Sequence, residues 1–363
     1  MAKIRVLIVD DSALIRKVLT EIFNSSPDIE VVGVAADPFI ARDLIKQLNP
    51  DLITLDVEMP RMDGITFLRN LMRLRPMPVV MISTLTEKNA EVTLNALALG
   101  AVDYMPKPTV NVTKTLNDYA DELINKVKMA AKARINYAEK PAAETPKTIS
   151  TFDPGQKHSV DAILKADASN RPIKTAEKII AIGASTGGTE AIKTVTKSLP
   201  SDTPAILITQ HLPVAFSRSF ALHVDMASNM RACIPEHGQL VEAGHIYIAP
   251  GDKHMLLIRE GSRYVIQLND GVPVNRHKPA VDVLFRSVAQ CAGANAIGVM
   301  LTGMGADGAI GMKEMHDAGA KTVIQDEQTS VVWGMPGEAF KLGCVDHVKP
   351  LKDVANQILA LVK

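Results

Sequence analysis

A serine, a histidine and an aspartate stand in similar local settings in the second half of the sequence. Ser185 lies in Ile182-Gly183-Ala184-Ser185-Thr186-Gly187-Gly188, and His211 directly follows Ala205-Ile206-Leu207-Ile208-Thr209-Gln210. Asp307 lies in Leu301-Thr302-Gly303-Met304-Gly305-Ala306-Asp307-Gly308. Each follows a strand-like run and precedes a helix-like one. In a doubly wound sheet such turns share the carboxyl ends of parallel strands, where these folds build their sites. The three can then meet in one crevice as a nucleophile, its base and the group that orients the base. That is a hydrolase signal.

Each of the three also has a plainer reading. Gly183-x-Ser185-x-Gly187 fits a nucleophile elbow, but a glycine-rich turn before a helix can equally cradle a phosphate. No Gly-Lys-Ser/Thr follows it, and the next strand ends in Gln210-His211 rather than in a ribose-binding acid. The free N–H groups of the helix after Ser185 suit an oxyanion. Of nine histidines, His211 alone ends a central strand; His158 is in a linker, and His223, His316 and His347 have helical or surface contexts. His237, His245, His254 and His277 fall in a less regular middle region. Asp307 by itself suits a helix N-terminus. The order Ser–His–Asp differs from the Ser–Asp–His of α/β-hydrolases.

A second constellation lies near the amino terminus. Asp10 and Asp11 close the first strand-like run, Asp56 closes the third, Ser83 the fourth, and Lys107-Pro108 follows the fifth. Three carboxylates crowded at one sheet crevice repel unless a cation joins them, and oxygen-only ligands favour Mg²⁺. A carboxylate beside a metal, a lysine and a hydroxyl can accept a phosphoryl group, with metal and lysine neutralising the developing charge.

The elements needed to position these groups are legible. Apolar runs at 4–9, 31–35, 52–55, 79–83 and 102–105 read as strands. Helical spacing separates them at 13–24, 38–48, 65–74 and 87–99, with a last helix at 114–133. Asp37 is placed to N-cap a helix that opens with Pro38, and Gly100 to end one. From 134 to 175 Ala, Lys, Glu, Thr and Ser dominate, prolines recur, and little packed structure is expected. A second alternation follows. Its strands are expected at 179–182, 206–209, 296–301 and 321–325, and its helices at 189–198, 214–228, 305–318 and 353–362. Runs at 245–249, 255–259 and 264–268, separated by turns, read as an antiparallel ribbon attached to the sheet. The expected fold is α/β with two doubly wound parallel-sheet domains. The first is flavodoxin-like over 1–124; a linker spans 125–174; a Rossmann-like unit with its added ribbon covers 175–363.

Composition narrows the function classes. Forty basic and forty acidic residues cancel, so no electrostatic footprint for nucleic acid is visible. No apolar stretch approaches the roughly 20 residues of a membrane span, and no signal-peptide pattern opens the chain. Three cysteines in no metal or redox spacing suit core thiols in a reducing cytoplasm. A soluble, cytoplasmic protein without nucleic-acid binding or membrane insertion is expected.

Residues 2 to about 122 resemble the receiver domain of two-component response regulators. The resemblance implies Asp56 as phospho-acceptor and Asp10 and Asp11 as the acidic pair. It implies Ser83 and Lys107 as contacts of the phosphoryl group, Tyr104 as the aromatic switch, and the Glu58 backbone carbonyl as a further metal ligand. From about 173 onward the chain resembles the catalytic domain of chemotaxis protein-glutamate methylesterases. The matching stretches are those around Ser185, His211 and Asp307, with Ala249-Pro-Gly-Asp252, His277-Lys-Pro-Ala-Val-Asp282 and Trp333-Gly-Met-Pro336. That resemblance implies Ser185, His211 and Asp307 as a triad, with Thr186 and Met304 around the oxyanion. It further implies methylated chemoreceptors as substrates, a chemotaxis histidine kinase as phosphodonor, and phosphorylation-dependent ester hydrolysis with glutamine deamidation beside it. Mg²⁺ is expected in the receiver and no cofactor in the esterase.

Overall fold

The computed structural model describes residues 2–84, 86–108, 116–133, 158–166 and 177–363. The first unit runs β1 (Ile4–Val9), α1 (Ala13–Asn24), β2 (Ile29–Ala35), α2 (Pro38–Leu48), β3 (Leu52–Asp56), α3 (Gly64–Leu74), β4 (Val79–Ser83), α4 (Glu87–Ala98), β5 (Asp103–Pro106) and α5 (Leu116–Ala130). Its sheet has the order β2-β1-β3-β4-β5, with every pair parallel. β3 and β4 are buried throughout, which is why they read as unbroken apolar runs. Asp37 caps α2 by accepting the N–H groups of Phe39 and Ile40.

The second unit is built on a seven-stranded parallel sheet of order β14-β13-β12-β6-β7-β9-β8. Its central strands are β6 (Ile179–Ala184), β7 (Ile206–Gln210), β12 (Ala296–Met300) and β13 (Lys321–Gln325), and β8 (Arg231–Cys233), β9 (His245–Ile248) and β14 (His347–Lys349) extend it. The helices are α6 (Gly188–Lys197), α7 (Val214–Ala227), α8 (Val281–Ala292), α9 (Ala309–Asp317), α10 (Met335–Lys341) and α11 (Leu351–Val362). The chain leaves β6 toward β7 on one side, while β12 pairs with β6 on the other. The switch point therefore lies between β6 and β12.

Three expectations need revision. The run at 245–249 is not part of an antiparallel ribbon: β9 pairs parallel with β7, and only β10 (His254–Glu260) and β11 (Arg263–Asn269) form the two-stranded antiparallel sheet. Helix α8 was not expected at all. Polar Asp282, Arg286 and Gln290 do recur at helical spacing along it, yet ten of its twelve residues are buried. The linker expected over 125–174 is not uniform either. Helix α5 crosses its first boundary, and residues 158–166 pack on the second unit, with a 3₁₀ turn at Val160–Ala162. The rest of that stretch lies outside the described residues. Among the described residues no helix is long and apolar enough to cross a membrane.

α8 crosses β6 so closely that Gly183 has no room for a side chain. A Cβ there would lie 2.3 Å from Val281 Cγ1 and 3.2 Å from Phe285 Cζ. Gly183→Ala should therefore destabilise the second unit by about 1–3 kcal/mol, the cost typical of overpacking. Its thermal midpoint should fall by several degrees, since 1 kcal/mol is worth roughly 2–4 °C at this size. An unchanged midpoint in calorimetry would show that α8 can move away freely.

Candidate active site

The carboxyl ends of β6, β7 and β12 bring Ser185, His211 and Asp307 together. His211 Nδ1 lies 3.1 Å from Ser185 Oγ, and His211 Nε2 lies 2.8 Å from Asp307 Oδ2. An imidazole in this pose donates its Nε2 hydrogen to the carboxylate and turns the Nδ1 lone pair on the serine. Ser185 sits on a turn fixed from both sides: its N–H donates to Thr302 O, and its carbonyl accepts from Gly188 N–H and the Gln210 amide. Gly187 follows with φ of 76° and N-caps α6, whose first residue, Gly188, donates its N–H to the Ser185 carbonyl at 2.7 Å. A side chain at Gly187 would strike Val331.

Asp307 is a buried carboxylate, and its neighbours explain how it stays charged. Oδ2 accepts the Val281 N–H at 2.6 Å, and Oδ1 accepts the Asp282 N–H at 3.2 Å and Asn275 Nδ2 at 2.9 Å. Burial alone would raise its pKa, but the His211 hydrogen bond, the His211 and His277 charges and Asn275 hold it below the ordinary carboxylate range. The ring of His277 stacks flat on His211, with centroids 3.7 Å apart and planes 8° from parallel.

His277, Asn275 and Asp282 are the contributors that the residue-level reading missed. Asn275 and His277 lie in a loop without strand or helix periodicity, Asp282 opens α8, and the only signal for them was the stretch from His277 to Asp282. Met304 lines the same cleft as Ser185 and His211, and the Thr186 hydroxyl is engaged by the first unit. It donates to Asp103 Oδ2 at 2.5 Å, across the boundary between the two units.

That cleft has a volume of about 1300 Å³ and is lined from both units. On the first unit, Asp103 Oδ1 takes the Lys126 ammonium at 3.0 Å and the N–H of Tyr104 at 2.8 Å. The ring of Tyr104 stacks on Phe216 of α7, with centroids 4.6 Å apart and 12° between planes. Helix α4 packs along α7 and touches α6, and Ala90, Leu94, Phe216 and Phe220 share one continuous apolar cluster. The first unit therefore sits over the mouth that opens at Ser185.

At the far end of β1 and β3 the acidic group is also assembled. One oxygen from each of Asp10, Asp11 and Asp56 lies within 4.8 Å of the others. Lys107 Nζ is 2.7 Å from Asp56 Oδ2 and 3.1 Å from Asp10 Oδ2, and Glu58 donates its N–H to Asp56 Oδ1 at 3.4 Å. Ser83 ends β4 in a buried position. Burial raises Asp56 to about 6, opposed by the Lys107 hydrogen bond and helped by the Asp10 charge. Buried Asp10 Oδ2 has no aligned hydrogen-bond donor. Three carboxylates crowded together with a single ammonium between two of them suit a hard divalent cation. Arg16 steadies the set by donating to the carbonyls of Asp10 and Asp11.

Comparisons with known proteins agree with this two-part layout. The family model described as CheB methylesterase matches residues 180–358, and that of the response regulator receiver domain matches 6–117. A protein-glutamate methylesterase/protein-glutamine glutaminase of Hydrogenovibrio crunogenus is 56% identical across the whole of both chains. One of Xanthomonas campestris is 54% identical, over 99% of this chain and 97% of its own. The crystal structure of the Thermotoga maritima CheB methylesterase catalytic domain is 34% identical with a TM-score of 0.51, covering 52% of this chain and all of that one.

The hydrogen-bond chain predicts a reactive serine. An organophosphonate that attacks activated serines should label Ser185 in the wild type and leave Ser185→Ala and His211→Ala unlabelled, as read by peptide mass. Labelling of His211→Ala at the wild-type rate would separate this geometry from reactivity.

Proposed function

The chain belongs to the CheB methylesterase family with a response regulator receiver domain at its amino end, and from this we propose a phosphorylation-controlled protein-glutamate methylesterase that also deamidates glutamine. The observation that carries the reading is the unbroken chain from Ser185 Oγ through His211 to buried Asp307. Its substrates are methyl-esterified glutamates on chemoreceptors, and its role is adaptation in chemotaxis.

His211 Nδ1 takes the hydroxyl proton as Ser185 Oγ bonds to the ester carbonyl carbon. The oxyanion that forms is stabilised by N–H groups at the start of α6, around Thr186, with Met304 beside it. His211 returns the proton to the departing methoxide, which leaves as methanol. Water then gives its proton to His211 and attacks the acyl-serine, and the proton passes to Ser185 Oγ as the glutamate is freed. A glutamine side chain loses ammonia by the same steps. Asp307 holds the imidazole with Nδ1 toward the serine and stabilises the imidazolium.

In the receiver, Asp56 accepts the phosphoryl group from a histidine kinase. Asp10, Asp11, Asp56 and the Glu58 carbonyl would hold Mg²⁺, which would offset the charge of the transferring group. Ser83 and Lys107 contact the phosphoryl oxygens, and Tyr104 carries the change to the interface. Lys107 directly follows β5, the strand that bears Asp103 and Tyr104 on the catalytic unit. Phosphorylation at Asp56 thus acts on the strand that covers Ser185.

Methanol released from methyl-labelled receptor tests the assignment. Ser185→Ala should lose activity by a factor on the order of 10⁶. Asp307→Asn should lose roughly 10⁴, because it misorients the base without removing it. The double variant should be no slower than Ser185→Ala, since the groups act as one unit. Losses that multiply would place Asp307 outside the triad.

A further inference from the structure

Asn275 makes a contact that the proposed mechanism does not use. Its single side-chain nitrogen donates to two buried carboxylates, Asp307 Oδ1 at 2.9 Å and Asp282 Oδ2 at 2.7 Å. An amide NH₂ has two hydrogens and no charge, so it can bridge two anions without adding a third. Asp282 also accepts the Gly311 N–H at 2.7 Å, and burial together with the Asp307 charge raises its pKa. Asn275 and Arg276 both have left-handed backbones, with φ of 51° and 71°. Non-glycine residues keep that conformation where their surroundings impose it.

Residues 158–166 pack against this loop. The His158 carbonyl accepts the Asn275 N–H at 3.1 Å. Val160 is buried with Val274, Ala280 and Val283, and Asp161 Oδ1 takes Arg286 Nη1 at 2.6 Å. Arg286, itself buried, also binds the Leu164 carbonyl and Glu314. This segment precedes the matched family region, which begins at residue 180.

We propose that Asn275 is a positioning residue for Asp307, and that the 158–166 segment holds it in place. The segment is thus part of the catalytic unit. The inference rests on the proposed esterase reading. It goes beyond it by adding a residue and a segment to the machinery.

The test uses the full-length protein, activated by a small acyl phosphate with Mg²⁺, acting on methyl-labelled receptor. Asn275→Gly is the informative variant, because glycine adopts φ near 51° freely and keeps the N–H for His158 while losing the amide. Its kcat should fall by roughly 10-fold with KM nearly unchanged, as expected for one charged hydrogen bond acting through the base. A donor to a carboxylate stabilises its charge; without it Asp307 holds the imidazolium more tightly. The acid limb of kcat/KM should therefore move up by about half a pH unit or more. The titratable groups facing Asp307 are His211, His277, Asp282 and His254, with Lys278 and Glu314 farther out, and the variant removes none of them. Asp161→Ala, which leaves Asn275 intact, should move both quantities in the same direction by a smaller factor. Wild-type kcat and an unshifted acid limb in Asn275→Gly would overturn the proposal. If that variant fails to fold, an unchanged Asp161→Ala would overturn it instead. A wild-type protein that releases no methanol would sink the esterase reading itself.

Discussion

One buried charge governs the second unit. Asp307 lies beyond β12 with almost no exposed surface, and an unpaired carboxylate there would be strongly destabilising. The protein meets this with two main-chain N–H groups at the first turn of α8, an amide from Asn275 and the imidazole of His211. The first N–H groups of a helix have no partner within it, so they are free for such a task. Much of the architecture follows from bringing α8 to that spot. It has to pass over β6, which explains Gly183, and over α9, where Gly311 allows the approach to Asp282. The loop from 274 to 280 has to double back to deliver Asn275 and His277.

The triad-like chain of hydrogen bonds is complete while the receiver lies over it. His211 already faces both Ser185 and Asp307, so no atom of that chain waits on a rearrangement. What the receiver occupies is the approach to it. Tyr104 on Phe216, Asp103 on Thr186 and α4 along α7 form one patch. β5 belongs to this patch and ends next to Lys107, which also pairs with Asp56. A charge change at Asp56 therefore has a short mechanical route to the cover. A two-state receiver needs only a modest difference in affinity for this patch to shift the population of open molecules.

The sequence made some of this legible and concealed the rest for physical reasons. Strand-end residues stood out because parallel strands are continuous apolar runs, so the polar residue at each end is conspicuous: Asp56, Ser83, Ser185 and His211 were found this way. Asp307 sits several residues beyond its strand and was identified through its glycine-rich turn. Asn275 and His277 lie in a loop where the chain has no period, and their roles, like that of Asp282 at the start of α8, come from long-range contacts that spacing does not encode. α8 does carry a helical period in Asp282, Arg286 and Gln290, but its polar side chains are turned to buried partners rather than to water, Asp282 to Gly311 and Arg286 to Glu314. The Asp103 contact was invisible for another reason: it joins two domains, and nothing local to β5 distinguishes an interface residue from a strand residue.

In the resting protein Ser185, His211 and Asp307 are already joined by hydrogen bonds beneath the receiver. The most direct measurement is the pH profile of methanol release from unphosphorylated full-length Asp103→Ala, compared with phosphodonor-activated wild type. Loss of Asp103 frees Thr186 and Lys126 without touching Ser185, His211 or Asp307. The rate should lie well above that of the unphosphorylated wild type, with the pH dependence of the activated enzyme. A rate no higher than the resting wild type, or a profile displaced along the pH axis, would mean that activation rebuilds the site rather than uncovers it.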